Sequence, residues 1–413
     1  MKKASILLLF ACTLSLNACA QWYLFPGKKK PTDPKPTVTD TIRRTKPDTA
    51  AVRTGADTLA LAGTDSTLLS PAVPEDVFVL DIPDVIHIGL ALPLQASAQR
   101  PSDNFLDFYS GVLMALRDLG GAGLRADLQV HDTADGKTSV PQSLIDESDV
   151  VIGPVSFEEL QRTAPLCGGK VLISPLEPKA AALAEEGAVV QAPPTWMAQT
   201  DELVRWIREE LPVGEPLYVV RDTAAMLQGE QSAYLMAQLQ ERGVRYQSVL
   251  SASAIPFEKG RKARVAVASD RDNFITTAVR SLSIEGARNN DVILYGTSRM
   301  RTNGVAQTDL HNTEAHLALS YFIDYDDPAV QRFILAYRAL FQTEPGSFAF
   351  QGYDTTHYFV TMCAKYGRQW YKKLPEYGEK GLQADFRFRE EPARINQAVR
   401  RVFYHGDLTT TKE

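Results

Sequence analysis

The run Ile86, His87, Ile88, Gly89, Leu90, Ala91, Leu92, Pro93 and Leu94 constrains the fold most, because it is apolar at nearly every position and closes at a proline. An antiparallel strand with one wet face alternates apolar and polar residues, whereas a strand covered by helices on both faces is apolar throughout. The run therefore predicts a buried parallel strand. A polar stretch over 95–104 follows. Then Phe105, Phe108, Tyr109, Val112, Leu113, Leu116 and Leu119 recur at spacings of three and four, the pattern of an amphipathic helix. Strand and helix make a first β-α step. Open α/β sheets bind ligands beyond the carboxyl ends of their strands, so the 94–104 loop, with Gln95 and Ser97, is the first candidate contact.

The alternation continues. Apolar runs predict strands over 124–131, 150–154 and 170–175, with helical patterns over 140–147 and 158–167 between them. Pro154-Val155-Ser156 and Pro175-Leu176-Glu177 open turns at the ends of two of these strands, where hydroxyls and free N–H groups can face a ligand. The segment Gln191, Ala192, Pro193, Pro194 and Thr195 then marks a crossing into a second set of β-α units. These comprise strands over 217–221, 245–250, 264–268 and 292–295 and helices over 196–211, 228–242 and 272–284. A strand over 317–324 returns to the first lobe, followed by helices over 329–341 and 348–366. Alternating residues over 385–388 and 401–404 suit antiparallel edge strands. About 330 residues exceed what one core serves, so two lobes are expected, one near 85–190 and 325–370, the other near 195–315 and 380–413.

Ahead of this lies a different kind of sequence. Lys2 and Lys3 precede an apolar core over 6–16 that is too short to span a membrane, which reads as an export signal over 1–18. Leu16, Asn17, Ala18 and Cys19 resemble the lipobox of bacterial lipoproteins, which implies a mature chain anchored by lipid on Cys19; an ordinary secretory signal is the alternative. Residues 20–80, rich in proline, threonine and charge, read as a disordered tether. Trp22, Tyr23, Leu24 and Phe25 suit either the membrane interface or a solvated spacer.

Charge and motif content exclude several function classes. The formal net charge of −6, with acids and bases interspersed, argues against a nucleic-acid partner. The one basic cluster, Lys259, Arg261, Lys262 and Arg264, reads as a solvated loop before a strand. No Gly-x-Ser-x-Gly elbow, His-Glu-x-x-His helix, phosphate loop or Gly-x-Gly-x-x-Gly turn occurs, so no catalytic chemistry, metal or cofactor is expected. His311 and His316, five apart, fall off a common helical face. Beyond the signal and Cys19, only Cys167 and Cys363 remain, and they read as separate buried thiols rather than a disulfide.

Taken in order, the first strand, Ile152-Gly153-Pro154-x-Ser156, Ile173-Ser174-Pro175, the crossing, the second β-α lobe and the late residues Phe333, Tyr337, Phe341, Pro345, Gln351, Gly352, Tyr353 and Asp354 resemble a type I periplasmic binding protein. The similarity is greatest to the Leu/Ile/Val-type amino-acid receptors and covers residues 85–413. It implies an α/β fold of two Rossmann-like lobes with parallel sheets, joined by a three-strand hinge and closing on a small solute. By the same resemblance Ser156 helps hold a ligand carboxylate, and the loop at Leu176 and Glu177 lines the cleft. Asp222, Arg299 and Asp324, at strand ends or near the return crossing, complete the candidate set. The family's usual hydroxyl is missing from the 176–178 loop, and the 95–97 loop has no glycine. Two roles are therefore expected as alternatives. One is a lipid-anchored receptor for an amino-acid-like or other small polar solute, working with an ABC-type permease; the other is an envelope lipoprotein that binds and regulates a cell-wall synthase; for either, the outer membrane is the expected anchor. Under the receptor role, Ser156→Ala is expected to weaken binding while leaving melting nearly unchanged.

Overall fold

The structure, a computed structural model, describes residues 80–223, 229–288, 291–302, 304–390 and 394–413; the signal, Cys19 and nearly all of the tether lie outside the described residues. β1 (Ile86–Leu92) is the predicted strand, and only His87 in it is exposed. α1 (Asp103–Gly121) follows it. β1 pairs with β2 (Ala126–Asp132) and β3 (Val150–Ile152), and the parallel sheet runs on through β4 (Leu172–Ser174) and β5 (Val189–Gln191) in the order β2-β1-β3-β4-β5. α2 (Gln142–Glu147), α3 (Phe157–Thr163) and α4 (Ala181–Glu185) connect these strands.

After Thr195 the chain forms α5 (Trp196–Glu210) and a second parallel set. Its strands are β6 (Leu217–Arg221), β7 (Tyr246–Val249), β8 (Ala263–Ala268), β9 (Val292–Thr297) and β10 (His316–Leu319), joined by α6 (Glu230–Glu241), α7 (Asp272–Ala287) and α8 (Gln307–Asn312). Their order, β7-β6-β8-β9-β10, repeats that of the first lobe. Each lobe is thus a doubly wound sheet, with its switch point beside its first strand.

The chain then returns. α9 (Pro328–Phe341) and α10 (Ser347–Tyr366) cover the first lobe, and a hairpin of β11 (Glu379–Lys380) and β12 (Asp385–Phe386) follows. β13 (Arg400–Tyr404) and β14 (Thr410–Lys412) extend the second sheet antiparallel, as the alternation over 401–404 predicts. Two expectations are corrected here. The strand expected over 317–324 ends at Leu319, because from Ser320 the chain leaves the sheet and the Phe322 N–H bonds to Gln383 instead of a neighbouring strand. Residues 385–388, expected in the second lobe, pack on the first: Phe386 stacks on Tyr358 at 4.4 Å, and Phe388 joins the same core.

Close helix packing sets the first lobe. A methyl group on Gly111 of α1 would lie 1.9 Å from the Ala349 carbonyl oxygen, and one on Gly352 of α10 would lie 2.1 Å from that of Phe108. The two helices therefore meet backbone to backbone. The late aromatic residues of the resemblance prove structural: Phe333, Tyr337 and Phe341 form a chain of ring contacts along α9, and the Tyr337 hydroxyl donates to Asp107 at 2.7 Å.

Among the described residues, three parts of the chain cross between the lobes: 192–195, 320–327, and 387–390 with 394–399. They are irregular rather than the regular strands expected, with a single bridge between Gln191 and Ile395. Pro193 and Pro194 have no N–H to give a ladder, so buried side chains supply the bonds. Asn396, wholly buried, donates to the carbonyls of Ala192 and Asp385 and accepts from the N–H groups of Arg387 and Ala398. Arg400 donates to the carbonyls of Phe322, Leu382 and Gly381 and to the Asp385 carboxylate. Asp354 of α10 accepts from the N–H groups of Leu382, Gln383 and Ala384, holding the turn that Arg400 grips.

Candidate functional site

The carboxyl ends of β4, β5, β9 and β10 open on a shared cleft of about 490 Å³ between the lobes. The first lobe lends it Leu176 and Pro178. Pro193, Pro194, Leu319, Ser320 and Tyr321 come from the ends of β5 and β10 and the crossings, and Trp196, Gln199, Gln231, Ser298 and Arg301 from the second lobe. Seven of these twelve are apolar or aromatic, so the wall is mainly hydrophobic with a few polar points, the usual make-up of a small-molecule site. The Gln199 side-chain oxygen accepts from the Ser298 N–H at 3.1 Å. The Ser320 hydroxyl points back to the Pro194 carbonyl at 3.5 Å. Burial pushes the Tyr321 hydroxyl well above its ordinary pKa, so it stays protonated and able to donate. A second cavity of about 760 Å³ adjoins the cleft through Arg301 and Tyr321, and Asp324, Asp326, Tyr325 and Gln383 are among its lining.

Of the sequence-predicted site residues, the structure brings Leu176 into the cleft wall and Asp324 into the adjoining cavity. The others are not among the residues that line the cleft or the adjoining cavity. Ser156 is the N-cap of α3: its hydroxyl accepts from the Glu159 N–H at 3.3 Å and donates to the Glu159 carboxylate at 2.8 Å. Glu177 caps the short turn at Pro178, accepting from the Lys179 N–H at 2.8 Å. Hydroxyls and carboxylates are the preferred caps of exposed N–H groups, so a strand end that opens a helix uses them whether or not a ligand is near. Gln95 adopts a left-handed conformation, φ 53°, and its N–H and that of Ala96 bond to Asp132; Ser97 is exposed on the same loop. Asp222 is buried and takes a two-point hydrogen bond from Arg271 plus the Ser269 hydroxyl. Arg299 is held by the Asp270 carbonyl and the Asp272 carboxylate.

The residues missed by sequence reasoning are Trp196, Gln199, Gln231 and Arg301. The first two sit on the opening turns of α5, directly beyond the Pro193-Pro194 crossing, and that position was the only local signal available. Three of the four residues of the basic cluster are in ion pairs. Arg261 and Arg264 pair with Glu215, and Lys262 with Glu314.

Other polar clusters lie away from the cleft. Glu210 accepts hydrogen bonds from the Trp206 indole, the Tyr295 hydroxyl and His316; burial alone would raise its pKa, but these donors outweigh it and hold the carboxyl down at about 2. Trp206 stacks on His316 at 4.9 Å. His311, buried, donates to the His405 carbonyl. Cys167 and Cys363 are separate and buried, and burial raises their thiols to about 11 and about 12. Among the described residues, no group of three acidic, histidine or cysteine side chains is placed to hold a metal, and no helix is long and apolar enough to cross a membrane.

No protein-family profile and no curated protein matches the chain. Solved structures do. A protein assigned to branched-chain amino acid ABC transport from Rhodospirillum rubrum aligns with a TM-score of 0.55 at 16% identity, over 79% of this chain and 100% of that one. A substrate-binding protein of an ABC transporter from Desulfitobacterium hafniense, in complex with Leu, gives 0.46 at 16% identity, over 80% and 100%. Full-length LpoA from Haemophilus influenzae gives 0.49 at 13% identity, over 80% of this chain and 59% of that one. At such identities the alignment with the Rhodospirillum rubrum protein speaks to architecture alone. The chain has the two-lobed α/β fold of the type I periplasmic binding proteins.

Proposed function

We propose that this protein is a non-catalytic, extracytoplasmic binding protein that takes a small solute into the cleft between its lobes. The observation that carries the reading is the cleft itself: about 490 Å³, at the carboxyl ends of both sheets, mainly apolar and with few polar points. The Rhodospirillum rubrum protein, assigned to branched-chain amino acid transport, supports solute binding as the role of this architecture. Delivery to an ABC-type permease and anchoring by lipid on Cys19, with the outer membrane favoured, complete the proposal. A thermal-shift screen of residues 80–413 against amino acids, carboxylates, sugars, short peptides and peptidoglycan fragments tests it. A ligand at a hundred times its dissociation constant adds about 2.7 kcal/mol, enough to raise the melting temperature visibly. If no compound raises it, solute binding is abandoned.

A second reading rests on a separate observation. Ser156 and Glu177, which the family resemblance makes ligand contacts, are occupied as helix caps, and the 176–178 loop offers the cleft only apolar side chains. An envelope protein that keeps this fold to bind a cell-wall synthase has no need of those contacts. Co-purification of the protein with such a synthase, retained when Trp196 is replaced by alanine, supports this alternative over solute binding.

A further inference from the structure

We infer that the cleft selects an anion with an apolar body and no ammonium group, a branched or aromatic carboxylate rather than a zwitterionic amino acid; this rests on the solute-binding reading. Three features carry it. First, none of the twelve described residues lining the cleft is acidic, so among them a ligand ammonium group meets no carboxylate. Burying a charged amine without a counter-charge or acceptors is costly, and a site that lacks them rejects it. Second, Arg301 is the one cation among the described residues that line the cleft. It is exposed and, among the described residues, is in no ion pair, whereas the neighbouring Arg299 is tied to Asp270 and Asp272. An arginine left open beside an apolar wall is matched to a carboxylate, which it binds through two parallel hydrogen bonds. Third, both lobes lend the cleft apolar surface: Leu176 and Pro178 from the first lobe, Trp196 from the second.

Glu177 lies between the lining residues Leu176 and Pro178 but caps the turn by accepting from the Lys179 N–H, and Asp324 and Asp326 line the adjoining cavity. Asp324 there lies 3.8 Å from the Lys412 ammonium and accepts from the Asp326 N–H at 3.1 Å, so its charge is partly committed. Selectivity thus reverses that of an amino-acid receptor. The polar end of the ligand is read by the second lobe, through Arg301, and the first lobe supplies an apolar lip.

The test is calorimetric titration of the full chain with three probes of one shape: 4-methylpentanoate, its neutral amide, and leucine, which adds the ammonium group. The acid is expected to bind about tenfold or more tighter than either of the others, the difference a charge-assisted pair supplies. Arg301→Gln should remove that advantage and leave amide binding unchanged, and Arg301→Lys should restore part of it. Because the Arg301 side chain is exposed and, among the described residues, in no hydrogen bond or ion pair, these variants are expected to fold, which circular dichroism checks. Leucine binding as tightly as the acid overturns the anion class while leaving a solute in the cleft, provided Trp196→Ala abolishes that binding. An acid affinity indifferent to Arg301→Gln overturns it as well. Absence of binding by all three probes ends the anion proposal, and the wider reading falls only if the broad screen is also empty.

Discussion

Asn396 makes every hydrogen bond an amide side chain can make, two as donor and two as acceptor, and all four partners are backbone groups at the crossing between the lobes. Asn396→Ala strands two carbonyls and two N–H groups in a buried place. We expect it to cost about 2–5 kcal/mol of stability in urea unfolding, far more than the loss of one surface contact. A cost below about 1 kcal/mol would mean that water replaces the side chain without penalty. Glu210 makes a pH prediction of definite sign. Its folded pKa, about 2, lies below the ordinary 4.5, so its contribution is complete above the ordinary value and disappears as the pH falls toward 2. Glu210→Gln should therefore lose stability near neutral pH and converge on the parent protein in strong acid. Parallel acid-unfolding curves for the two proteins would remove Glu210 from the account.

At the scale of elements, two features of the first lobe depend on single residues. α1 and α10 approach closely enough that Gly352→Ala must push the helices apart. We expect it to destabilise the fold by about 1–3 kcal/mol, read as a lowered denaturation midpoint. The N-terminus of α3 depends on Ser156. Because its hydroxyl is spent in a reciprocal cap with Glu159, Ser156→Ala is expected to cost about 1 kcal/mol of stability and to leave ligand affinity unchanged. That is the reverse of what the family resemblance implies for this serine. A variant that melts like the parent but binds more weakly would return Ser156 to the ligand site.

For the whole molecule, the cleft joins side chains of both lobes, Leu176 on one and Trp196 and Arg301 on the other, so an occupant bridges them. On the proposed solute-binding function, hinge closure is expected, and small-angle scattering should show a smaller radius of gyration with saturating ligand. An unchanged radius would argue for a rigid, pre-formed site. At this scale the sequence was most legible. Apolar strands such as 86–92 announce burial on both faces, helical spacing such as that from Phe105 to Leu119 announces amphipathic helices, and the Pro193-Pro194 pair announces a break in the ladder. These are local consequences of side-chain type and period, so the order of elements and the two-lobed α/β architecture can be read from the chain alone. The site could not be read the same way. Ser156, Glu177 and Asp222 stand at strand ends where either a ligand or a helix terminus uses the same oxygen, and only the fold decided for a cap or an ion pair. Arg301 and Trp196 carry no local signature. They became candidates only when folding brought residues more than a hundred positions apart along the chain to one apolar wall, because what a polar side chain does depends on which partners folding leaves within hydrogen-bonding reach.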